Sequence, residues 1–420
     1  MIVIIGAGIS GLALAQELDA RGIPFTVYER EQRAGGVIRS ELVDGHLLEY
    51  GPQRTRLTKP IRTLIDDLGI AGDVITAPAD LPLMVYHSGR LRRVPFSAGA
   101  LLTSDLLPLP ARLRVLAEPI TRGAASDETV AHYFTRKLGR AAYENLAGPL
   151  YGGLYASDPA HMVVGLSLGG TLRDLGVKRS LVMRALRSGG RVAAPAACSF
   201  RDGMATLTDA LRARHASSIR IGVEVLGVLR TGAGFEVRTT DGLEHASQVV
   251  VTTPAATTAA LVADFAPNAA AAIAKLQYNP LAVVHLHSTA ALPAAFGYQV
   301  GFGESLMTRG VTFNDAMFGR HGVYTAYLGG AQHPDVVSWG DERIAAIAVA
   351  EFRRVTGASA DALGVARAAM PAWDRSWADF AALPASPVPG LHFCANWESR
   401  PGLPGRLARA RALAEQVATG

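Results

Sequence analysis

A chain of 420 residues is longer than one ordinary core, and at roughly 150 residues per domain it should hold two or three domains. Hydrophobic residues supply 49% and charged residues 18%, against about 25% charged in typical globular chains, which excludes a disordered chain. The net charge of +5 is spread without a basic run, and only four basic residues are lysines (Lys59, Lys137, Lys178, Lys275). No nucleic-acid partner is expected, whereas an anionic small molecule is compatible with this balance.

Met1–Ile5 is a continuous apolar run, which suits a strand buried on both faces. Glycine-rich Gly6–Gly11 follows, then helical spacing over Leu12–Arg21, then Gly22 and a second strand at Phe25–Glu29, together a βαβ unit. Residues 101–191 read as mostly helical, interrupted by Pro108, Pro110, Pro119 and Pro149. Strands are expected at Ile219–Val228, Phe235–Thr239 and Gln248–Thr253, and one helical stretch over Pro254–Lys275. Further strands fall at Leu281–His287, Val323–Leu328 and Leu391–Ala395, with helices at Arg343–Val355 and from about Leu407. The fold class is α/β and discontinuous in sequence, its nucleotide domain assembled from both chain ends and the middle.

The two cysteines, Cys198 and Cys394, lie far apart without a C-x-x-C, so neither a disulfide framework nor a metal site is expected. Met1–Ala15 lacks the basic start of a signal peptide, and Pro254, Asp264 and Pro267 interrupt the Ala-rich run over 249–274. A cytoplasmic location without a membrane span is the expectation.

Gly6-Ala7-Gly8-Ile9-Ser10-Gly11 has the G-x-G-x-x-G spacing. The first glycine permits the tight turn, the second lets a pyrophosphate approach the backbone, and the third lets helix and strand pack closely. Alone, such a run is a weak signal, with plain packing as the other reading. Here a strand precedes it, a helix follows, and Glu29 ends the next strand 18 residues beyond Gly11, where its carboxylate can accept from a ribose diol.

Beyond this turn come Glu29-Arg30, then Arg33-Ala34-Gly35-Gly36-Val37-Ile38-Arg39-Ser40, then Leu48-Glu49-Tyr50-Gly51-Pro52-Gln53-Arg54. The whole resembles the flavin amine-oxidase superfamily, and the resemblance implies FAD, bound non-covalently, rather than NAD. It implies that Arg30, Gly36, Val37, Arg39, Gly51, Pro52 and Gln53 approach the cofactor, and that Val225 lies where a backbone meets the adenine. Val225 is equally an ordinary core-strand residue. Arg54 reads as a flavin-orienting or cavity charge, or as an exposed loop residue.

Asp127-Glu128-Thr129-Val130, Gly153-Leu154-Tyr155-Ala156-Ser157-Asp158-Pro159 and Phe200-Arg201-Asp202-Gly203-Met204 follow in order. With Leu281–Leu286 and Val311-Thr312-Phe313, they are similar to the oxygen-dependent protoporphyrinogen and coproporphyrinogen oxidases over nearly the whole chain. That resemblance implies a Rossmann-like FAD-binding domain (1–70, 192–254, 386–420), an α+β substrate domain (71–98, 255–385) and a helical domain (99–191). The helical domain touches a membrane in some members. The implied substrate is a tetrapyrrole, with O2 as acceptor, in heme biosynthesis. No acid–base residue is nominated, because the cofactor carries the chemistry. The segment Leu101–Leu107 with Leu109, Leu113 and Leu116 either lies on a bilayer surface or packs in the helical domain's own core, and no basic cluster accompanies it.

Three departures stand out. Leu83 occupies the place of an arginine that holds a substrate propionate in many family members, and Leu83 and Gly153 are the substrate-side candidates. In the C-terminal run Ala395–Leu407, Asn396, Gly402 and Leu403 keep the pattern, Pro401 offers no N–H, and Gly405 replaces a helix-capping aspartate. Ser157 stands where a glycine is usual. Two other readings therefore stay open: a divergent amine oxidase or polyene desaturase, and a flavin- or tetrapyrrole-binding protein without turnover. No lysine after Lys275 can serve an amine oxidase, and Trp397 is the one candidate for its aromatic flank.

Overall fold

The computed structural model describes residues 1–187, 195–232, 234–384 and 386–419. The expected boundary between the helical and nucleotide segments at 191/192 lies outside these residues. A five-stranded sheet runs in the order Ile219–Ile221, Phe25–Glu29, Ile2–Ile5, Gln248–Val251, Leu391–Phe393, with every pairing parallel. Because side chains alternate across a strand, each face of this sheet feeds a different core. Ile2, Ile4, Val27 and Val250 join Leu12, Leu14 and Leu18 of the helix Ile9–Asp19 and Leu407 and Leu413 of the helix Leu403–Thr419. Val3, Ile5, Val249, Val251 and Phe393 face the other way, onto Phe235 and Val237 of the antiparallel meander Val225–Thr231, Gly234–Thr239, Gly242–Ala246. All four residues of Ile2–Ile5 are buried, and burying each such side chain contributes about 1.5–3 kcal/mol.

A second sheet of seven strands runs Asp361–Pro371, Tyr278–His287, Val323–Gly329, Thr308–Phe313, Gly297–Val300, Leu83–His87, Arg90–Arg93. Only Gly297–Val300 with Leu83–His87 is parallel. Ala282, Val284, Leu286, Tyr324, Ala326 and Leu328 face the helix Asp341–Thr356. The alternate residues Leu281, Val283, His285, Thr325 and Tyr327 face away from it. A third layer is helical and includes Leu109–Leu116, Val130–Leu138 and Gly148–Tyr155. No helix among the described residues is long and apolar enough to cross a membrane.

Three expectations are corrected. The run 219–228 is two strands in two sheets, because Gly222 turns the chain at φ +73° between them. The stretch 254–275 is two helices, Ala255–Val262 and Pro267–Ala274, the second beginning at a proline that suits a first helical turn. The last helix begins at Leu403, with Pro404 likewise tolerated in its first turn.

Candidate functional site

The glycine turn sits at the carboxyl end of Ile2–Ile5, in the middle of the parallel sheet. Gly6 holds φ +105°, and a Cβ on Gly11 would fall 2.0 Å from the Gly6 carbonyl oxygen. The helix that follows is capped by Gly8 without any side-chain hydrogen bond and carries no acidic residue in its first turn. No side chain therefore caps its first amides, which is the arrangement an anion at a helix start requires. Glu29 Oε2 accepts the Ala7 N–H at 2.8 Å and Oε1 accepts the Glu31 N–H at 3.0 Å. This pins the end of the second strand beside the turn.

The second glycine pair packs on the first. Gly8 bridges Gly35, the Gly35 N–H donates to the Ala7 carbonyl at 2.8 Å, and a Cβ on Gly36 would meet Gly8 Cα at 3.1 Å. A Cβ on Gly51 would lie 2.1 Å from the Val37 carbonyl oxygen, so Gly51-Pro52 stacks directly on this loop. Arg33, unmarked in the sequence reading, clamps the loop by donating to the Gly36 and Ile38 carbonyls at 2.6 and 3.1 Å. An arginine directly before a small-Gly-Gly turn was the signal available.

The other sequence candidates fall around this cradle. Ile9 and Ser10 are buried in the helix start, while Val37 is exposed. Arg30 pairs with Glu31 at the surface, and Arg39 lies over the Tyr50 ring at 4.0 Å while pairing with Glu41. Val225 is half-buried opposite Thr239 in the meander. Asn396 Oδ1 accepts from Tyr278 Oη at 3.0 Å, and Pro401-Gly402 leads straight into the helix at Leu403. A Cβ on Gly405 would lie 2.1 Å from the Arg400 carbonyl oxygen, so glycine there serves close approach. Trp397 is corrected as an aromatic flank: it is 1% exposed, packs on Phe380 and Phe393, and donates to the Thr253 carbonyl.

Glu49–Arg54 joins this cradle to the large sheet. The Glu49 carboxylate accepts from Ser40 Oγ, the Met204 N–H and Arg320 Nη2 at 2.6, 2.8 and 2.9 Å. Gln53 Oε1 accepts from Asn314 Nδ2 and Thr325 Oγ1 at 2.9 and 3.1 Å. His285 meets Tyr50 edge to face at 5.1 Å and, with burial as the cause, its pKa falls to about 4. Tyr327 is pushed up to about 12, by burial first. The Arg54 guanidinium lies 5.3 Å from the Phe296 ring centre and has no hydrogen-bonding or ion-pair partner among the described residues. Leu83 packs with Val85, Val94, Leu106 and Leu107 between the sheet edge and the helical layer. Gly153 brings its helix close to the sheet, since a Cβ there would fall 3.2 Å from the Arg309 carbonyl oxygen and would displace the Gln299 amide. Ser157 accepts from Asn279 Nδ2 at 2.6 Å, tying the helical layer to the strand Tyr278–His287.

The family described as flavin containing amine oxidoreductase matches residues 9–418. The chain belongs to the flavin-containing amine oxidoreductases. Relatives of this flavin oxidoreductase include the chloroplastic protoporphyrinogen oxidase of Nicotiana tabacum, 27% identical over 395 residues, covering 84% of this chain and 71% of that one. The coproporphyrinogen III oxidase of Mycobacterium leprae (strain TN) is 28% identical over 339 residues, covering 76% and 74%. Among solved structures, the "Putative protoporphyrinogen oxidase" of Exiguobacterium sp. 255-15 superposes with a TM-score of 0.81 at 21% identity, covering 100% and 98%. Cyclohexylamine oxidase from Brevibacterium oxydans IH-35A superposes at 0.72 and 15% identity, covering 99% of each chain. The protein is thus an FAD-dependent oxidoreductase of this fold. Its uncapped helix start and three interlocked glycine approaches, each closed to a Cβ, fit a dinucleotide laid along the turn.

Proposed function

We propose that this flavin oxidoreductase dehydrogenates a porphyrinogen to the porphyrin, with non-covalently held FAD and O2 as final acceptor. When bound, the flavin supplies the two-electron acceptor. Gly6–Gly11 and Glu29 would hold its pyrophosphate and ribose, Gly36 and Gly51 its flavin half, and Gly402 and Leu403 would offer N–H groups to the ring. The chain's own part is to orient a tetrapyrrole, itself already easily oxidised, and to keep the reacting face dry. His285, Thr325 and Tyr327 suit that task, being uncharged at neutral pH and held by Gln53, Asn314 and Tyr50.

The observation that carries this reading over an amine oxidase is the location of the lysines. Lys275 pairs with Asp379 at the surface and Lys137 is sealed against Glu118, so neither reaches the sheet face beside Gln53. Names of the plant and mycobacterial relatives support the same substrate class. Anaerobic mixing of the holoprotein with protoporphyrinogen and coproporphyrinogen tests it: flavin bleaching followed by reoxidation in air is expected. Absence of bleaching with both, together with bleaching by an amine, would overturn it. Acid precipitation should release the flavin into the supernatant.

We also propose a peripheral membrane contact through the helix Leu109–Leu116. Leu109, Leu113 and Leu116 stand exposed at helical spacing beside exposed Leu102 and Ile120, whereas Leu106 and Leu107 are buried. Arg112 is anchored on the Leu102 and Leu107 carbonyls, which puts one cation among them. Co-sedimentation with anionic lipid vesicles, lost in Leu109→Glu/Leu113→Glu, is expected; equal sedimentation of both proteins would refute it.

A further inference from the structure

Arg54 and Arg56 flank Thr55, whose side chain is buried toward Cys198, so the two arginines lie on one side of the short strand Thr55–Arg56. Both guanidinium groups lie against the same ring, Phe296, at 5.3 and 6.0 Å from its centre. Phe296 packs in a small apolar cluster with Ala77, Ala197, Met317 and Phe318. Arg320 lies against Phe318 at 5.5 Å, which brings a third guanidinium to the same seam.

The nearby carboxylate is already taken. Glu49 accepts from Arg320, Ser40 and Met204 at once. Arg56 donates only to the Pro195 carbonyl, at 3.1 Å, and Arg54 has no polar partner among the described residues. Burial lowers the pKa of Arg54, and the neighbouring Arg56, itself exposed at the surface, adds to that shift. A part-buried guanidinium without a counter-charge among the described residues, beside a second and exposed one on the same ring, is a costly arrangement for a bare protein. It becomes favourable when two carboxylates arrive, because Arg–carboxylate contacts are charge-assisted and geometrically matched.

We infer that Arg54 and Arg56 form a clasp for two neighbouring carboxylates of the substrate. This rests on the porphyrinogen reading, where the carboxylates are adjacent propionates. It also gives this chain an anion site on the nucleotide-domain side of the seam, away from Leu83, which packs against the helical layer.

The test uses the holoprotein and two probes, coproporphyrin III and its tetramethyl ester, with binding followed by fluorescence quenching. The free acid should bind about tenfold or more tighter than the ester, the size of one charge-assisted contact. Arg54→Gln and Arg56→Gln should each weaken the acid by about tenfold and leave the ester and the flavin content unchanged. Equal binding of acid and ester by the wild type, or acid binding unmoved in both variants, would overturn the clasp. Loss of flavin from Arg54→Gln would also overturn it, by assigning Arg54 to the cofactor. Acid–ester discrimination without porphyrinogen turnover would sink the proposed reaction and keep the clasp; turnover without discrimination would do the reverse.

Discussion

Glu49 and Arg320 stand 271 positions apart in sequence, and Arg320 Nη2 lies 2.9 Å from Glu49 Oε1 with both side chains almost wholly buried. Arg320 also donates to Ser199 Oγ at 2.9 Å, so one guanidinium joins the large sheet to two segments beside the glycine cradle. Burial opposes the charged form of each partner, yet three donors converge on the carboxylate, and the ionised pair is the state that satisfies them.

Removing one member of such a pair leaves the other charged and unpaired. Arg320→Gln should therefore cost about 3–5 kcal/mol of stability, more than a surface pair ever does. Replacing both, as Glu49→Gln/Arg320→Met, should recover part of that loss, and a double-mutant cycle in urea measures the coupling. Additive losses would mean that the two groups do not depend on each other.

Local chemistry made the cradle legible from sequence: glycine spacing, a following helix and a carboxylate at the next strand end all lie within residues 2–29. The Glu49–Arg320 contact left no such trace, since nothing near either residue specifies its partner. Asp361–Pro371 shows the same limit for the fold. Its sequence is rich in alanine with a glycine, a poor strand former by itself, and it becomes a strand by pairing along the whole of Tyr278–His287. Gly222 was visible, but whether it interrupts a strand or ends one depends on which sheets lie on either side.

Glu29 supplies a prediction about the cofactor. Its two oxygens already accept backbone N–H groups, leaving further lone pairs for a ribose diol. Glu29→Gln turns one acceptor into a donor facing a donor, so FAD affinity should fall by about 1–3 kcal/mol. Reconstitution of the apoprotein, followed by flavin fluorescence, reads the change; unchanged affinity would separate Glu29 from the cofactor.

His285 gives a pH prediction. Burial holds its folded pKa near 4, below its ordinary 6.5, so the unfolded chain takes up the proton first as pH falls. Its contribution to stability is present above pH 6.5 and is lost as pH drops toward 4, about 3 kcal/mol at most. Buried His215 and His392 are shifted in the same direction, so the wild type should lose stability on acidification for several reasons. The difference between wild type and His285→Gln isolates one of them. Denaturation at pH 7 and pH 4.5 should show a smaller loss in the variant, and identical losses would exclude His285 as a contributor.

Leu83 offers the sharpest contrast with the sequence reading, in which it stood for a missing propionate ligand. On that reading Leu83→Arg would install a carboxylate contact and change substrate preference. In the structure Leu83 shares a side of its strand with Val85 and packs on the cluster that includes Val94, Leu106 and Leu107. Its carbonyl accepts the Val94 N–H at 2.9 Å, which fixes the hairpin and leaves the side chain little freedom to turn away. An arginine there would have to desolvate its charge among aliphatic groups or pull its stem out of the cluster toward water. Leu83→Arg should cost about 1–3 kcal/mol of stability and loosen the contact between sheet edge and helical layer. The ratio of kcat/KM for coproporphyrinogen and protoporphyrinogen should stay within about threefold of wild type, well under one charge-assisted contact. Leu83→Met, which keeps the volume, should match wild type in both measurements. A large change in substrate ratio with no loss of stability would return Leu83 to the substrate cavity.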